Sequence, residues 1–147
     1  MSRPDSGLQK YFVALIPPSP YYEEALSWKH FFQDNFHTKA ALRSPPHITL
    51  QMPFRWKEEE EPTLFESLAS FAAAQTPFNI AMQGFGAFAP RVIYLRVVPS
   101  ESLLQLAADL QRMGREQLQI AVSLNTGLPF HPHLTVAFRD LKRNDFN

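Results

Sequence analysis

The stretch PPHITL, residues 45–50, returns near the other end of the chain as HPHLTV, residues 131–136. Each copy places a proline before a histidine, and then follows the order histidine, apolar residue, threonine, apolar residue. Because alternate side chains of a strand share a face, each histidine lies on the same face as its threonine, opposite the two apolar residues. The pattern predicts two strands that present an imidazole and a hydroxyl to one cavity and bury their other face.

Strand and helix signals alternate around the two copies. The predicted elements are a strand over 10–16, a helix over 21–36 capped by Ser19, the first motif strand, a helix over 62–74, a hairpin of strands over 77–85 and 91–98, a helix over 101–118, and the second motif strand. A strand that ends at a proline, a helix and a motif strand therefore occur twice. This weak repeat predicts two lobes related by an approximate two-fold axis, each contributing one motif to the cleft between them.

Composition restricts the class of protein. The chain has 147 residues, of which 45% are apolar and 13 are phenylalanine. This length and composition predict one domain with an aromatic-rich core. The absence of cysteine excludes disulfides, thiolate metal sites and a cysteine nucleophile. No apolar run has the length of a membrane span, and no basic segment precedes an apolar one at the N-terminus. We therefore expect a cytoplasmic protein without membrane contact, and no obligate protein partner is evident.

The charge balance bears on the ligand. Lys plus Arg and Asp plus Glu both total 14, which gives a formal net charge of zero. A protein that coats long nucleic acid normally carries a positive excess. A small anionic substrate, or only the end of an RNA, fits this balance better.

The motif residues suit acid–base chemistry on a phosphodiester. The reference pKa of histidine, about 6.5, lets one imidazole accept a proton while the other donates one. One of His47 and His133 would take the proton of the attacking water or hydroxyl, and the other would protonate the departing oxygen, each role contributing roughly 10²–10⁴-fold in rate. The hydroxyls of Thr49 and Thr135 would donate to the non-bridging phosphoryl oxygens. This mechanism requires no metal or other cofactor.

Three further residues are candidates for substrate binding. Arg139 follows the second motif, and strict alternation puts it on the face of Thr135, where a guanidinium could bind phosphate bidentately. Phe54 and Phe138 could flank a base by stacking. The alternatives are a surface position for the arginine and core packing for the two phenylalanines.

Two other functions fit parts of the pattern. His131 and His133 share a strand face, and together with His47 they could form a three-histidine zinc site of a hydrolase. That hypothesis does not explain a threonine at the same offset in both motifs. The second alternative is a non-catalytic module that binds a nucleotide or an RNA end in the same cleft.

The two histidine-hydrophobic-threonine-hydrophobic (HxTx) motifs, each closing a strand–helix unit, resemble those of the two-histidine (2H) phosphoesterase superfamily. They look most like its 2′-5′ RNA ligase-like branch, and the resemblance runs from the strand at Tyr11 through Arg139. It implies a bilobal α+β fold, with antiparallel sheets and outer helices around a central cleft. Members of the family usually continue beyond this point with a helix and a strand. We therefore expect residues 1–147 to form a single domain of this type that lacks those C-terminal elements.

The resemblance also implies an activity. It is a metal-independent cyclic phosphodiesterase activity on RNA 2′,3′-cyclic phosphate ends or small cyclic nucleotides. Some members catalyse the reverse direction and join RNA ends through a 2′-5′ linkage. By this resemblance His47 and His133 are the acid–base pair, and Thr49 and Thr135 are the hydroxyls that contact phosphate. It does not assign the acid and the base between the two histidines.

Overall fold

Five strands and three α-helices make up the described part of the chain, which in this computed structural model comprises residues 7–89, 92–120 and 130–138. The elements are β1 (Leu8–Leu15), α1 (Tyr21–Phe36), a 3-10 turn (Ala40–Arg43), β2 (Ile48–Lys57), a 3-10 turn (Glu58–Glu60), α2 (Glu61–Ala73), β3 (Met82–Phe88), β4 (Val92–Val97), α3 (Glu101–Gln117) and β5 (His133–Ala137). The predicted order of elements is confirmed. Residues 139–147 lie outside the described residues, so the expected lack of C-terminal elements stays a prediction.

The strands form two sheets. One pairs β1 with β2, and the other has the order β3-β4-β5 with both pairs antiparallel. In the first sheet the amide of Glu58 donates to the carbonyl oxygen of Gly7 at 2.7 Å, so the start of β1 meets the end of β2 and the strands run antiparallel. The predicted α+β class with antiparallel sheets is thereby confirmed.

The hairpin of β3 and β4 begins later than the sequence predicts. Its register shifts between Met82 and Phe85, and Gly84 within that interval has a φ of +71°. This left-handed conformation favours glycine and is typical of a bulge. From Phe85 onward the pairing is regular, and the remaining strand is shorter than the predicted one over 77–85.

Contacts within the chain divide it into two units. The first combines Met1–Val13, Leu50–Asn79 and Glu101–Phe130, and the second combines Ala14–Thr49, Ile80–Ser100 and His131–Asn147. His47, Thr49, His133 and Thr135 all belong to the second unit. Each sheet nevertheless carries one motif, since the first lies at the start of β2 and the second at the start of β5.

The packing of β5 explains why one unit holds both motifs. β5 contacts α1 and also the 3-10 turn of Ala40–Arg43. The segment that leads into His47 therefore lies beside the strand that carries His133.

Helix α1 buries one face in the second unit. Ala25, Lys29 and Phe32 are buried at helical spacing, whereas Phe31 is exposed. The predicted cap is wrong: Pro20 occupies the N-cap position, and the hydroxyl of Ser19 donates to the carboxylate of Glu23 at 2.6 Å instead of accepting from the helix backbone. Pro20 fixes the entry into the helix through its restricted φ.

In the first unit, α3 buries a regular stripe of side chains. The side-chain amide of Gln111 on this helix donates from Nε2 to the carbonyl oxygen of Leu50 at 3.1 Å. The stripe consists of Leu103, Ala107, Leu110 and Met113.

Among the described residues, no helix is both long enough and apolar enough to cross a bilayer.

Candidate active site

The two motif histidines make the same backbone hydrogen bond. Nδ1 of His47 lies 2.7 Å from the carbonyl oxygen of Pro45, and Nδ1 of His133 lies 2.8 Å from the carbonyl oxygen of His131. A carbonyl oxygen can only accept, so Nδ1 carries the hydrogen in both rings. Nε2 is then the nitrogen that gains and loses a proton, acting as acceptor in the neutral ring and as donor in the charged ring.

A buried proline stands between each histidine and its carbonyl acceptor. Pro46 and Pro132 are both buried. Proline has a fixed φ and drives the residue before it into an extended conformation, so the carbonyl two residues before the histidine has little freedom. The X-Pro-His sequence therefore sets the orientation of both imidazoles through the backbone.

Burial alternates along both motifs as predicted. Ile48 and Leu50 are buried in the first motif, and Leu134 and Val136 are buried in the second. The histidine and threonine of each motif are half-buried. Each motif strand thus presents its polar pair on the more accessible face.

The register of the second sheet fixes what surrounds the second motif. Thr135 lies opposite Tyr94, and His133 lies opposite Arg96. Side chains that are directly opposite on antiparallel strands share a face of the sheet. Tyr94 therefore lies on the face that carries His133 and Thr135.

Three rings pack around His133. The ring centroid of His133 is 5.2 Å from that of Phe88, 5.3 Å from that of Tyr94 and 6.0 Å from that of His131. Phe88 meets His133 nearly edge to face, at an interplanar angle of 84°. These rings exclude water from much of the catalytic candidate.

The surroundings lower the pKa of His133 below its ordinary value of 6.5. Burial is the main cause, since it disfavours the charged ring. Positive charge on His131 or His47 lowers the pKa further, while the hydrogen bond to the carbonyl of His131 raises it. His133 is thus predominantly neutral at pH 7, and His47 lies close enough to act on it through its charge.

A buried lysine holds the segment before the first motif. Lys29 is 2% exposed, and its Nζ donates to the carbonyl oxygens of Ala41 at 2.7 Å and Ser44 at 2.8 Å. Burial lowers the pKa of Lys29 to about 8. The sequence does not predict this contact; its one signal there is the helical spacing of Lys29 with the apolar Ala25 and Phe32.

The predicted substrate-binding residues fall in different places. Arg139 lies outside the described residues. Phe54 belongs to the first unit, where its ring stacks with that of Tyr11 at 6.2 Å, a packing contact. Phe138 is half-buried directly after β5. Roles for Arg139, Phe54 and Phe138 in substrate binding stay predictions.

The zinc hypothesis gains no support from the geometry. His47, His131 and His133 all lie in the described residues, yet nowhere in that part of the chain do three side chains of His, Cys, Asp or Glu form a group that could hold a metal ion. His131 and His47 instead affect His133 as neighbouring charges, which lower the pKa of His133.

The sequence matches a known family. The family model of the 2′-5′ RNA ligase superfamily matches residues 17–144. A protein of Bacillus pumilus whose name assigns it, provisionally, to the phosphoesterases is 32% identical over 133 residues, covering 87% of this chain and 69% of its own length. A relative in Geobacillus kaustophilus with the same kind of name is 34% identical over 137 residues, covering 90% of this chain and 70% of its own length.

Solved structures share the fold. TT0787 of Thermus thermophilus superposes with a TM-score of 0.66 over 91% of this chain and 76% of its own, at 24% identity. The apo form of LigT of Escherichia coli superposes with a TM-score of 0.60 over 90% of this chain and 72% of its own, at 26% identity.

Proposed function

This chain belongs to the 2′-5′ RNA ligase superfamily of two-histidine phosphoesterases, and from that premise we propose that it hydrolyses 2′,3′-cyclic phosphates at RNA ends or in small cyclic nucleotides. The reaction is metal-independent acid–base catalysis. The same residues would form a 2′-5′ linkage when the 5′-hydroxyl of a second RNA replaces water as the nucleophile: the 5′-oxygen bonds to phosphorus and the bond to the 3′-oxygen breaks. The observation that carries the proposal is the matched hydrogen bond from Nδ1 of His47 and of His133 to the carbonyl two residues earlier. It prepares Nε2 of both rings for proton transfer.

The two histidines take different roles in the proposed hydrolysis. The lowered pKa of His133 keeps its ring neutral, so its Nε2 accepts a proton from the attacking water. The water oxygen bonds to phosphorus, and the bond from phosphorus to one ribose oxygen breaks. His47 donates the proton to that departing oxygen, and the product is a phosphomonoester with a free neighbouring hydroxyl.

The two motif threonines donate hydrogen bonds to the non-bridging phosphoryl oxygens in the proposed reaction. Thr49 and Thr135 each share a strand face with the histidine two residues before, and their hydroxyls are donors of suitable length for a non-bridging oxygen. A donor held in place before the reaction stabilises charge as it develops in the transition state. Arg139 is proposed as an additional cationic contact with the same phosphate.

The test is turnover of adenosine 2′,3′-cyclic phosphate, and of a short RNA that ends in a cyclic phosphate, in excess EDTA. We expect turnover to survive EDTA and to fall at least a hundredfold in His47→Ala and in His133→Ala. His30→Ala is the matched control, because His30 is exposed on α1, where its Nδ1 lies 3.3 Å from Oε1 of Gln33. Activity that EDTA abolishes and zinc restores, or binding of both substrates without turnover, would contradict the proposal.

A further inference from the structure

Two exposed rings stand beside the catalytic candidate His133. Phe88, at the end of β3, is 42% exposed although its side chain is entirely apolar, and His131 is exposed as well. Their ring centroids are 5.5 Å apart with an interplanar angle of 67°. The two rings therefore form an open angle, which we call the aromatic corner.

The floor of the aromatic corner is a buried ring. Tyr94 is 6% exposed and contacts both rings, with centroid distances of 4.7 Å to Phe88 and 5.6 Å to His131. It also contacts His133 and lies opposite Thr135 in the sheet. The aromatic corner is thus fixed to the strand that carries the second motif.

A glycine allows Tyr94 to take this position. Gly86 pairs with Tyr94 across the sheet, and a Cβ added at Gly86 would lie 2.5–2.6 Å from ring carbons and the hydroxyl oxygen of Tyr94. Such contacts are far inside van der Waals distance. Tyr94 lies over β3 only because residue 86 has no side chain, a use of glycine that close approach explains.

We propose that the aromatic corner of Phe88 and His131 binds the nucleobase of the substrate by stacking, while His133 and Thr135 act on the phosphate. This proposal rests on the proposed function for the nature of the substrate. Phe88 keeps 42% of its apolar side chain exposed next to a catalytic imidazole, and the faces of nucleobases are suitable partners for aromatic rings. Because every base has such a face, the aromatic corner favours the presence of a base more than its identity.

The alternative role for the same rings is to keep water from His133. The two roles differ in one measurable respect. Loss of packing around His133 would slow hydrolysis of every cyclic phosphate alike. Loss of base stacking would slow only substrates that carry a base.

The experiment compares adenosine 2′,3′-cyclic phosphate with 1-O-methylribose 2′,3′-cyclic phosphate, which has no base. The variant combines Phe88→Leu with His131→Ala. Alanine at position 131 keeps the backbone carbonyl that accepts the hydrogen bond from Nδ1 of His133. We expect kcat/KM for the adenosine substrate to fall about tenfold relative to the base-free substrate, mainly through KM. An equal loss on both substrates, or no loss on either, would overturn the proposal.

The matched control is Phe85→Leu. Phe85 is 45% exposed on the same strand as Phe88, but it pairs with Leu95 on the opposite face of the sheet and contacts Trp28. We expect the ratio of kcat/KM between the two substrates to stay at the wild-type value in this variant. A drop equal to that of the Phe88 and His131 variant would show that the effect does not come from the aromatic corner.

A binding measurement separates this proposal from the proposed function. Calorimetric titration with adenosine 3′-monophosphate and with ribose 3-phosphate needs no turnover. If the wild-type protein hydrolyses neither cyclic substrate yet binds the adenosine compound more tightly than the base-free compound, and the variant loses that preference, the proposed function fails while base binding stands. Equal affinity of the wild-type protein for both compounds would refute base binding whatever the activity.

Discussion

The ammonium group of Lys29 donates a hydrogen bond to the carbonyl oxygen of Ala41 at 2.7 Å, in surroundings that leave the side chain 2% exposed. The second bond, to Ser44, reaches the residue directly before Pro45, whose carbonyl orients His47. A side chain on α1 thereby fixes the backbone that positions a catalytic candidate.

Replacing Lys29 by methionine tests this connection. Lys29→Met supplies an unbranched apolar side chain one atom shorter and leaves two carbonyl oxygens without their donor, at a cost of about 1–3 kcal/mol for a buried group. We expect the free energy of unfolding in urea to fall by about that amount, and kcat to fall about tenfold as His47 loses its fixed position. Lys57→Met, at an exposed position, is the control. Wild-type stability and kcat in Lys29→Met would contradict the role.

The same lysine predicts a pH dependence of stability. Burial lowers the pKa of Lys29 from 10.5 to about 8 in the folded protein, so between these values the unfolded chain binds more protons than the folded one. Stability contributed by this group therefore rises with pH from about 8 to 10.5. Unfolding in urea at several pH values should show this rise in the wild-type protein and a smaller one in Lys29→Met. Identical pH slopes would count against it.

His133 is predicted to titrate below pH 6.5. Its lowered pKa has burial as the main cause and the charge of His131 as a further one. Titration of the ring resonances by NMR, assigned through His133→Gln, should give a pKa below 6.5, and His131→Gln should raise it because the neighbouring charge is removed. Since the folded protein binds fewer protons here, this group lowers stability as pH falls through 6.5. A pKa at or above 6.5 in the wild-type protein would refute the prediction.

Adding one methyl group at Gly86 should disturb the site. Gly86→Ala places a Cβ within 2.6 Å of the Tyr94 ring, so this ring has to move and the contacts of Phe88 and His131 with it are lost. We expect a loss of stability of about 1–3 kcal/mol, as for overpacked cores. Gly114→Ala is the control, because its Cβ would meet Ile120 at 3.4 Å, an ordinary contact, within a helix. Equal stabilities of the two variants would show that Tyr94 adapts.

The threonine hydroxyls should matter for the rate more than for the fold. Thr135→Val keeps the shape of the side chain and removes the donor, and we expect kcat on adenosine 2′,3′-cyclic phosphate to fall roughly 10²-fold. Thr63→Val, at an exposed position of α2, should leave kcat unchanged. An unchanged kcat in Thr135→Val would remove this hydroxyl from the mechanism.

Periodicity in the sequence predicted the strand faces of the two motifs and the limits of helix α1. The alternation around His47 and His133 follows from the two-residue period of a strand, and the buried Leu134 and Val136 confirm it. The limits of α1 follow from Pro20 and from helical spacing. The family resemblance, carried by four motif residues, predicted the fold class.

The remaining features depend on contacts between distant parts of the chain. Lys29 is a charged residue in a helix, a type that is almost always exposed. Its burial is acceptable because the carbonyl oxygens of Ala41 and Ser44 accept its hydrogen bonds. The stacking partner of Phe54, in the first unit, could not be read from its position after the first motif. The aromatic corner requires the register of three strands, which no local pattern fixes.

The hydrogen bonds at His47 and His133 carry a consequence for variation in sequence. Their acceptor is a main-chain oxygen, which every amino acid supplies, so the orientation of each histidine does not depend on the side chain two residues before it. Proline stands at one of them and histidine at the other. The side chain at position 131 is therefore free to be exchanged for the needs of a particular substrate, while the tautomer of the neighbouring catalytic ring stays constant.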